Sequence, residues 1–445
     1  MKITFIMPCV GRKPNQKYVR SWCMEPLAIA TLKALTPDSI DCAFYDDRLE
    51  SIPYDEKTDL VAVNVETYTA RRAYQIAGEY QKRDTPVVMG GFHPTLMPDE
   101  VEQHADAVVV GEAENIWDDV LRDAAAKKLG KRYQAENQPR LGGLLPDRNI
   151  YADKKYIDLT LIETARGCRY SCEFCSISSF YKRSYRARPV DQVINEIELT
   201  GSNKIFFTDD NIAVDKKRTI DFLKALIPLH IRWVGQVSID ITKDKEMLAL
   251  FKQSGCSGVL IGFESLNSNN IHAMGKSVNK TTIDYSQAVE RLRSYGMSVY
   301  GTFVFGYDED TQDSYAETLA FAKKTKLFFA AFNHLVPFPG TPLYSRLQKE
   351  DRLLFDCWWL DKSYKFGELA FEPKKLSAQQ VTDLCFKYRR LFYHPVSVLR
   401  RSIDLKANCK NPFMAALFFY QNFVSRRDVD RRQKLPLGID GAENR

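Results

Sequence analysis

The sequence predicts an α/β protein with an N-terminal doubly wound parallel sheet, a partial (βα)6 barrel and a C-terminal helical cap. Short apolar runs alternate with helical patterns in two separate series, which is typical of βαβ units. Residues from about 350 onward are aromatic and basic and have a helical pattern. We therefore predict domains at 1–135, 158–350 and 351–445, with a linker at 136–157 that lacks periodicity.

The first series contains five apolar strand candidates. Continuous apolar strands separated by helices indicate a parallel sheet that is buried on both faces, as in a doubly wound, Rossmann-like domain. Ligands of such sheets bind beyond the carboxyl ends of the strands. The five candidates are Ile3–Met7, Cys42–Tyr45, Leu60–Asn64, Pro86–Met89 and Ala107–Val110.

The second series contains six strand candidates with amphipathic helices between them. Six βα units are too few for a complete eight-stranded TIM barrel, so we expect an open, partial barrel. Its active site would lie at the carboxyl ends of the strands, where the polar motifs of this sequence fall. The six candidates are Thr160–Thr164, Lys204–Thr208, Arg232–Val237, Gly258–Gly262, Ser298–Val304 and Phe328–Leu335.

Composition and charge exclude several classes of protein. The 445-residue chain is 44% apolar and 27% charged, which is ordinary for a globular protein. Its net charge of +6 is too small for a nucleic-acid-binding face. The N-terminal apolar run is too short for a secretory signal, and no stretch approaches the ~20 apolar residues of a transmembrane helix. We expect a cytoplasmic protein with no nucleic-acid partner, whose apolar segment Phe413–Val424 packs into the core.

Three of the ten Cys form a cluster, Cys168, Cys172 and Cys175, just after a predicted strand. In a reducing compartment such a cluster indicates metal or redox chemistry rather than disulfides. A loop can place three thiolates on three irons of a cubane cluster and leave the fourth iron open to a substrate, whereas electron-transfer clusters use four Cys. A structural zinc site would need a fourth ligand, and no nearby Cys or His supplies one. Three unligated thiols are the remaining alternative.

The CxxxCxxC spacing, with Phe174 before the last Cys, resembles the signature of the radical S-adenosylmethionine (SAM) superfamily. The resemblance implies that Cys168, Cys172 and Cys175 ligate a [4Fe-4S] cluster, that its open iron binds SAM, and that Phe174 contacts the adenine. It also implies that one electron from the reduced cluster cleaves a C–S bond of SAM. By the same analogy, a flavodoxin or ferredoxin-type protein donates this electron.

Polar residues that follow three further barrel strands suit SAM binding. Carboxylates and amides accept hydrogen bonds from the SAM ammonium group or approach its ribose and carboxylate. The candidates are Asp209, Asp210 and Asn211 at the end of the second strand, Gln236, Ser238 and Asp240 at the end of the third, and Glu264 at the end of the fourth. Asp-Asp-Asn departs from the Gly-Gly-Glu turn common in the superfamily and resembles its cobalamin-linked branch. The alternatives are a helix N-cap for Asp209 and Asp210 and a solvated loop carboxylate for Glu264.

The N-terminal domain resembles the cobalamin-binding domain fused to many radical SAM enzymes, through Met89–Thr95 and Asp106–Glu114. The resemblance implies cobalamin as a possible further cofactor, beside glycines whose backbone can approach a bulky ligand. The candidate residues are Gly90, Gly91, His93, Gly111 and Glu112. Because the Asp-x-His-x-x-Gly motif of cobalt-ligating domains is missing, we predict a structural or phosphate-side role for His93 rather than a bond to cobalt.

The resemblance implies a transferase that cleaves SAM reductively and moves a SAM-derived carbon group to a small-molecule substrate. Cobalamin-dependent methyl transfer is the main expectation. The first alternative is cobalamin-independent transfer of a 3-amino-3-carboxypropyl group to a soft acceptor such as trivalent arsenic, with Cys9 and Cys23 as candidate soft-substrate thiols. Those two thiols are otherwise expected to be buried small hydrophobic residues. The second alternative is a non-catalytic iron–sulfur or corrinoid carrier, which the open iron argues against.

Overall fold

The computed structural model describes residues 1–14, 16, 18–276, 279 and 284–440, so the end of the predicted cap at 441–445 lies outside the described residues. It contains two six-stranded sheets in which every strand pair is parallel. The predicted fold class is therefore confirmed.

The N-terminal sheet has the strand order β2-β1-β3-β4-β5-β6. The five predicted strands are confirmed to within one residue at each end. Four of them are apolar runs buried on both faces, whereas the edge strand β2 is partly exposed. The sixth strand is short and polar and gave no pattern in the sequence. The strands are β1 (Lys2–Met7), β2 (Asp41–Asp46), β3 (Leu60–Asn64), β4 (Val87–Gly90), β5 (Ala107–Val110) and β6 (Arg132–Gln134). The helices are α1 (Leu27–Leu35), α2 (Ala70–Gln81), α3 (Phe92–Leu96), α4 (Pro98–Val101) and α5 (Trp117–Ala125).

The barrel sheet follows chain order, β7-β10-β11-β12-β13-β14, and a short antiparallel pair, β8 with β9, lies between its first two strands. The six predicted strands are confirmed to within two residues. The strands are β7 (Thr160–Ile162), β8 (Ala165–Arg166), β9 (Arg186–Ala187), β10 (Lys204–Phe207), β11 (Arg232–Val237), β12 (Cys256–Glu264), β13 (Ser298–Phe305) and β14 (Phe329–His334). The helices are α6 (Ser176–Phe180), α7 (Val190–Thr200), α8 (Lys216–Leu226), α9 (Lys245–Gln253), α10 (Ser268–Ala273), α11 (Tyr285–Ser294), α12 (Gln312–Lys324) and α13 (Pro342–Lys349).

Aspartate N-caps set the start of three barrel helices. Asp215, Asp244 and Asp284 each accept a hydrogen bond from a backbone N–H in the first turn of α8, α9 and α11. Because α8 begins after Asp215, the N-cap alternative for Asp209 and Asp210 is wrong.

The C-terminal region consists of three helices and a two-stranded ribbon. These are β15 (Lys365–Phe366), α14 (Ala378–Phe392), α15 (Pro395–Ser402), α16 (Pro412–Arg432) and β16 (Leu435–Pro436). Within the described residues, no helix is both long enough and apolar enough to cross a membrane. The expected core packing of Phe413–Val424 is only half correct, since Phe418 is buried but Phe413, Phe419, Tyr420 and Phe423 are exposed.

Part of this region completes the core of the N-terminal domain. Trp358, Trp359 and Leu437 are fully buried in one cluster with the β3 and α2 side chains. The Gly438 N–H donates to the Val10 carbonyl at 2.8 Å, and the Arg71 guanidinium donates to the Leu437 carbonyl at 2.7 Å. The first and last parts of the chain thus form one packed unit.

This packing makes a prediction about Leu437. Replacing it with Ala leaves a cavity in the N-terminal core, so we expect L437A to lower the free energy of unfolding by about 2–5 kcal/mol in urea titrations. The matched control is L405A, which removes the same atoms from an 81% exposed position and should leave stability unchanged. Equal stability of the two variants would contradict the packing role.

Candidate functional site

The three clustered cysteines lie in the loop between β8 and β9. All three are free thiols at half-buried positions. Burial raises the pKa of the Cys172 thiol to about 12, and it also raises the pKa of Cys168 and Cys175. The Cys175 thiol contributes to the raised pKa of both Cys168 and Cys172, so the three thiols interact electrostatically as one group.

The donor set fits a cluster better than a single ion. In the described part of the chain, no group of three or more His, Cys, Asp or Glu side chains could hold a metal ion. A zinc ion at ~2.3 Å from each sulfur needs the sulfurs in van der Waals contact, whereas a cubane cluster offers a different iron to each. Backbone N–H groups of Tyr170, Ile177 and Ser178 hydrogen-bond to the Cys168 and Cys175 sulfurs, as suits thiolate ligands. The three thiols therefore fit a [4Fe-4S] cluster.

The Asp pair after β10 holds this loop in place. Asp209 is buried and accepts from the Thr164 hydroxyl at 2.7 Å and its N–H at 3.1 Å. Asp210 accepts from the Gly167 N–H at 3.1 Å, directly before Cys168. Burial raises the pKa of both carboxyls to about 6. Asp209 and Asp210 were predicted to bind SAM, and in the structure their hydrogen bonds connect β10 to the start of the cysteine loop.

The predicted residues after β10 and β11 form a polar group beside the cysteines. The Asn211 amide donates to the Ser238 hydroxyl at 2.6 Å. The Tyr170 hydroxyl, from within the cysteine loop, hydrogen-bonds to the same Ser238 and lies near Asp240. Gln236 and Asp240 are exposed and thus open to a ligand.

Glu264 ends β12 in a left-handed conformation with a φ of 62°, next to a β-bulge. The bulge redirects its carboxylate onto the Lys276 ammonium at 2.5 Å. Since Glu264 is only 7% exposed, the solvated-loop alternative is wrong. Lys276 lowers the pKa of the Cys172 and Cys168 thiols, whereas Glu264 raises that of Cys172. Nothing in the sequence marked Lys276, because it lies on a loop twelve residues away.

Two neighbours of the cysteines anchor the loop to the rest of the barrel. The predicted adenine contact Phe174 packs partly buried against the barrel core. The adjacent Glu173 accepts from the Arg346 guanidinium at 2.9 Å, and its carbonyl accepts from the Leu343 N–H at 3.0 Å. Helix α13 therefore fixes the loop from the carboxyl end of the barrel.

The ligand-binding edge of the N-terminal sheet faces the cysteine loop. Phe92, which follows β4, stacks on Phe180 of α6 with ring centroids 4.4 Å apart. The backbone beside Phe92 is set by Gly91, whose φ is 112°, and a Cβ there would lie 2.6 Å from the Asn64 Oδ1. Gly111, after β5, has a φ of 84° and open space where a Cβ would stand. Gly111 therefore leaves bare backbone for a bulky ligand, whereas Gly90 and Gly91 allow close packing against Val109 and Asn64.

His93 takes a structural position at this edge. Its imidazole is fully buried, and Nε2 lies 3.1 Å from Glu100 Oε1 and 3.2 Å from the Tyr74 hydroxyl. Glu100 also accepts from the Trp359 indole N–H at 3.0 Å. A buried ring committed in this way suits a cobalamin held by the protein backbone rather than by a His–cobalt bond. The backbone at this edge fits cobalamin on those terms.

Sequence reasoning missed the contact that joins the two domains. Glu112 lies 2.7 Å from the Arg166 guanidinium and 2.5 Å from that of Arg186. Arg166 also pairs with Glu114 at 2.5 Å and Glu163 at 2.8 Å. Glu112 was predicted to bind a cofactor, but in the structure its carboxylate is paired with two arginines. The sequence offered one signal for this contact, namely a charged residue, Arg166, only two positions before Cys168.

The two candidate soft-substrate thiols are both buried. Cys9 is fully buried, and its thiol donates a hydrogen bond to Asp47. Burial and the Asp47 charge together strongly raise the pKa of the Cys9 thiol. Cys23 is 5% exposed, and burial raises the pKa of its thiol to about 11. Both fit the expectation of small hydrophobic residues, and neither is poised as a thiolate for a soft acceptor.

Comparison with known families matches residues 162–322 to the Radical SAM superfamily and residues 21–121 to the B12 binding domain. The bacteriochlorophyllide d C-12(1)-methyltransferase of Chlorobaculum tepidum is 31% identical over 389 residues, covering 84% of each chain. This chain belongs to the radical SAM superfamily. It is a member that also carries a B12-binding domain, so the predicted cofactors, a [4Fe-4S] cluster, SAM and cobalamin, are confirmed.

A further curated protein and two solved structures are similar to this chain. The hopanoid C-2 methylase of Rhodopseudomonas palustris is 26% identical, covering 75% of this chain and 66% of the methylase. The radical SAM methyltransferase TsrM from Kitasatospora setae, with cobalamin and [4Fe-4S] cluster bound, has a TM-score of 0.68 at 15% identity, covering 97% of this chain and 98% of TsrM. The cobalamin-dependent S-adenosylmethionine radical enzyme OxsB has a TM-score of 0.68 at 14% identity, covering 96% of this chain and 71% of OxsB. These structures share the whole two-domain fold.

Because Arg166 pairs with three carboxylates, we expect a large loss of stability when its charge is removed. R166M leaves three carboxylates near one another and partly buried, so we expect the free energy of unfolding to fall by about 3–5 kcal/mol in urea titrations. Adding E112Q to R166M should restore part of that loss, since one repelling charge disappears. The matched control R122M removes an exposed Arg paired with Asp119 and should change nothing measurable. Equal effects of R166M and R122M would contradict the assignment.

The conformation of Gly91 makes a prediction about the cobalamin edge. G91A forces a Cβ against the Asn64 side chain at a φ that disfavours Ala, so we expect about 1–3 kcal/mol of destabilisation in urea titrations. The matched control is G78A in α2, where a Cβ meets nothing within 4 Å and Ala should stabilise the helix by about 1 kcal/mol. A neutral G91A would mean that the turn after β4 can relax.

Proposed function

We propose that this protein is a cobalamin-dependent methyltransferase of the radical SAM superfamily that methylates a small molecule. The observation that carries the proposal is the placement of three grouped, half-buried thiols against the glycine-rich edge of the B12-binding domain. The curated relatives named above are a methyltransferase and a methylase, which supports methyl transfer as the reaction. When bound, the cluster, SAM and cobalamin supply the reductive cleavage of SAM and the carriage of its methyl group.

The residues of this chain have separable tasks in that reaction. Cys168, Cys172 and Cys175 would hold the cluster, while Lys276 favours the thiolate forms of Cys168 and Cys172 by its positive charge. The exposed Gln236 and Asp240 would receive polar groups of SAM, and Phe174 its adenine. Phe92, Phe180 and the Arg166 contacts would hold the two domains together, which keeps the two cofactor sites in one water-poor space.

Three finer statements belong to the same proposal. The protein acts in the cytoplasm, where reducing conditions preserve the free thiols. A flavodoxin or ferredoxin-type partner delivers the electron. The domain boundaries lie at 1–135, 136–157, 158–350 and 351–445, with residues 435–440 returning to the first domain.

The burial of Cys9 and Cys23 gives no support to carboxypropyl transfer to arsenic, so we put forward no second function. The noncatalytic-carrier alternative also falls away, because the relatives named above are transferases. Analysis of the SAM products distinguishes methyl transfer, carboxypropyl transfer and a carrier that leaves SAM intact.

The test is product analysis on the anaerobically reconstituted protein, with SAM and dithionite, with and without hydroxocobalamin. We expect 5′-deoxyadenosine, and S-adenosylhomocysteine only when cobalamin is present. C168S, C172S and C175S should each lose cluster iron and lower SAM consumption at least about 100-fold, because each removes one of three ligands. The matched control C42S changes a half-buried thiol in the N-terminal sheet and should keep both.

Two results would overturn the proposal. Release of 5′-methylthioadenosine without 5′-deoxyadenosine, and unaffected by cobalamin, would identify carboxypropyl transfer. A protein loaded with cluster that leaves SAM intact would be a carrier.

A further inference from the structure

Helix α16 presents four of its five aromatic residues outward, against the usual pattern. Its inner face is held by buried Met414, Phe418 and Asn422. The opposite face repeats at three- and four-residue intervals along the helix and is exposed. This outer stripe is Phe413, Ala416, Phe419, Tyr420 and Phe423, followed by Arg426 and Arg427. A row of large apolar side chains on one exposed helix face indicates a surface that binds a partner or a membrane.

The preceding helix repeats the arrangement. Helix α15 exposes Val396 and Leu399, and Ile403 just after it is 72% exposed. The two helices are fixed to each other by Arg401, which is fully buried and donates to the Asn422 side chain at 2.9 Å. The outward apolar side chains are therefore held on a rigid support.

The charge around these helices is strongly positive. Residues 395–434 contain nine Lys and Arg and only three Asp. Of these acids, Asp404 is paired with Arg293, Asp430 with Arg390, and Asp428 accepts from the Ser21 hydroxyl. An apolar face bordered by basic residues complements an anionic surface with an apolar interior.

A basic cavity opens at the N-terminal end of α16. Its volume is about 460 Å³, and it lies at the amino ends of β11 and β12. The charged side chains that line it in the described part of the chain are all basic: Arg232, Lys252, Lys406 and Lys410. Arg232 lies over the Phe413 ring at 5.1 Å, so the cavity adjoins the outer stripe. Of the four, Lys406 has an acidic neighbour, Glu290 at 2.5 Å.

We propose that the outer face of α15 and α16 docks this protein on a lipid bilayer that contains anionic phospholipids. The outer stripe enters the region between headgroups and acyl chains, and the basic cavity receives a phosphate of a lipid headgroup. This face lies at the amino ends of the barrel strands, whereas the cysteine loop lies at their carboxyl ends. Docking therefore leaves the cofactor side of the barrel uncovered.

The test is sedimentation of the purified full chain with vesicles of phosphatidylcholine alone or with 30% phosphatidylglycerol. We expect the chain to sediment with the anionic vesicles and to be released as salt rises. The variant F419S/F423S should lower the partition coefficient at least about tenfold. Its matched control is L199S, which changes a 68% exposed Leu on α7 and should bind as the parent does.

A second pair of variants tests the cavity. K406A/K410A should weaken binding to anionic vesicles but leave the weaker binding to neutral vesicles unchanged. The matched control K128A removes an exposed Lys from the N-terminal domain. Thermal melts followed by circular dichroism check that each variant is folded, as expected for substitutions at exposed positions.

Three results would overturn the proposal. The first is failure of the parent chain to bind either vesicle. The second is binding of inorganic phosphate at matched ionic strength without binding of vesicles, which would identify the cavity as a site for a free anion. The third is a dimer in sedimentation velocity that F419S/F423S abolishes, again without vesicle binding, which would identify the face as an interface between copies.

Discussion

The contact between Arg166 and its three carboxylates is the constraint on which the arrangement of the two cofactor sites depends. Arg166 belongs to the strand that leads into the cysteine loop, whereas Glu112 and Glu114 follow the last predicted strand of the B12-binding domain. Any rotation between the domains would separate partly buried charges of opposite sign. Such separation is far more unfavourable than breaking surface ion pairs, because water cannot fully replace the lost partners.

Apolar contacts act in the same direction as this charged contact. The stacked Phe92 and Phe180 rings lie beside it, and Trp358 and Leu437 pack the last part of the chain into the first domain. Charge fixes the relative orientation and apolar burial supplies the adhesion. The position of the cysteine loop against the B12-binding domain is thus fixed by residues that need not touch a substrate.

The strands were predictable because each is a continuous apolar run, and the cysteine loop because its spacing is unusual. The partners of the polar residues were not predictable. Asp209 and Glu112 have side chains that suit a ligand, but they bind Thr164 and Arg166, which lie 45 and 54 residues away in the sequence. Helix α16 misled for a related reason, since an apolar segment does not reveal which of its faces has a partner. Contacts between distant segments are fixed only by the packed fold.

The return of residues 435–440 to the first domain has a consequence for synthesis. During synthesis the B12-binding domain emerges before the barrel, yet Leu437 and Gly438 reach their places beside α2 and Val10 only after the barrel has emerged. The B12-binding domain is therefore completed only after the barrel that follows it. An unfinished or truncated polypeptide would present an incomplete corrin-binding domain, so the fold itself defers full assembly of that domain until the barrel that uses it exists.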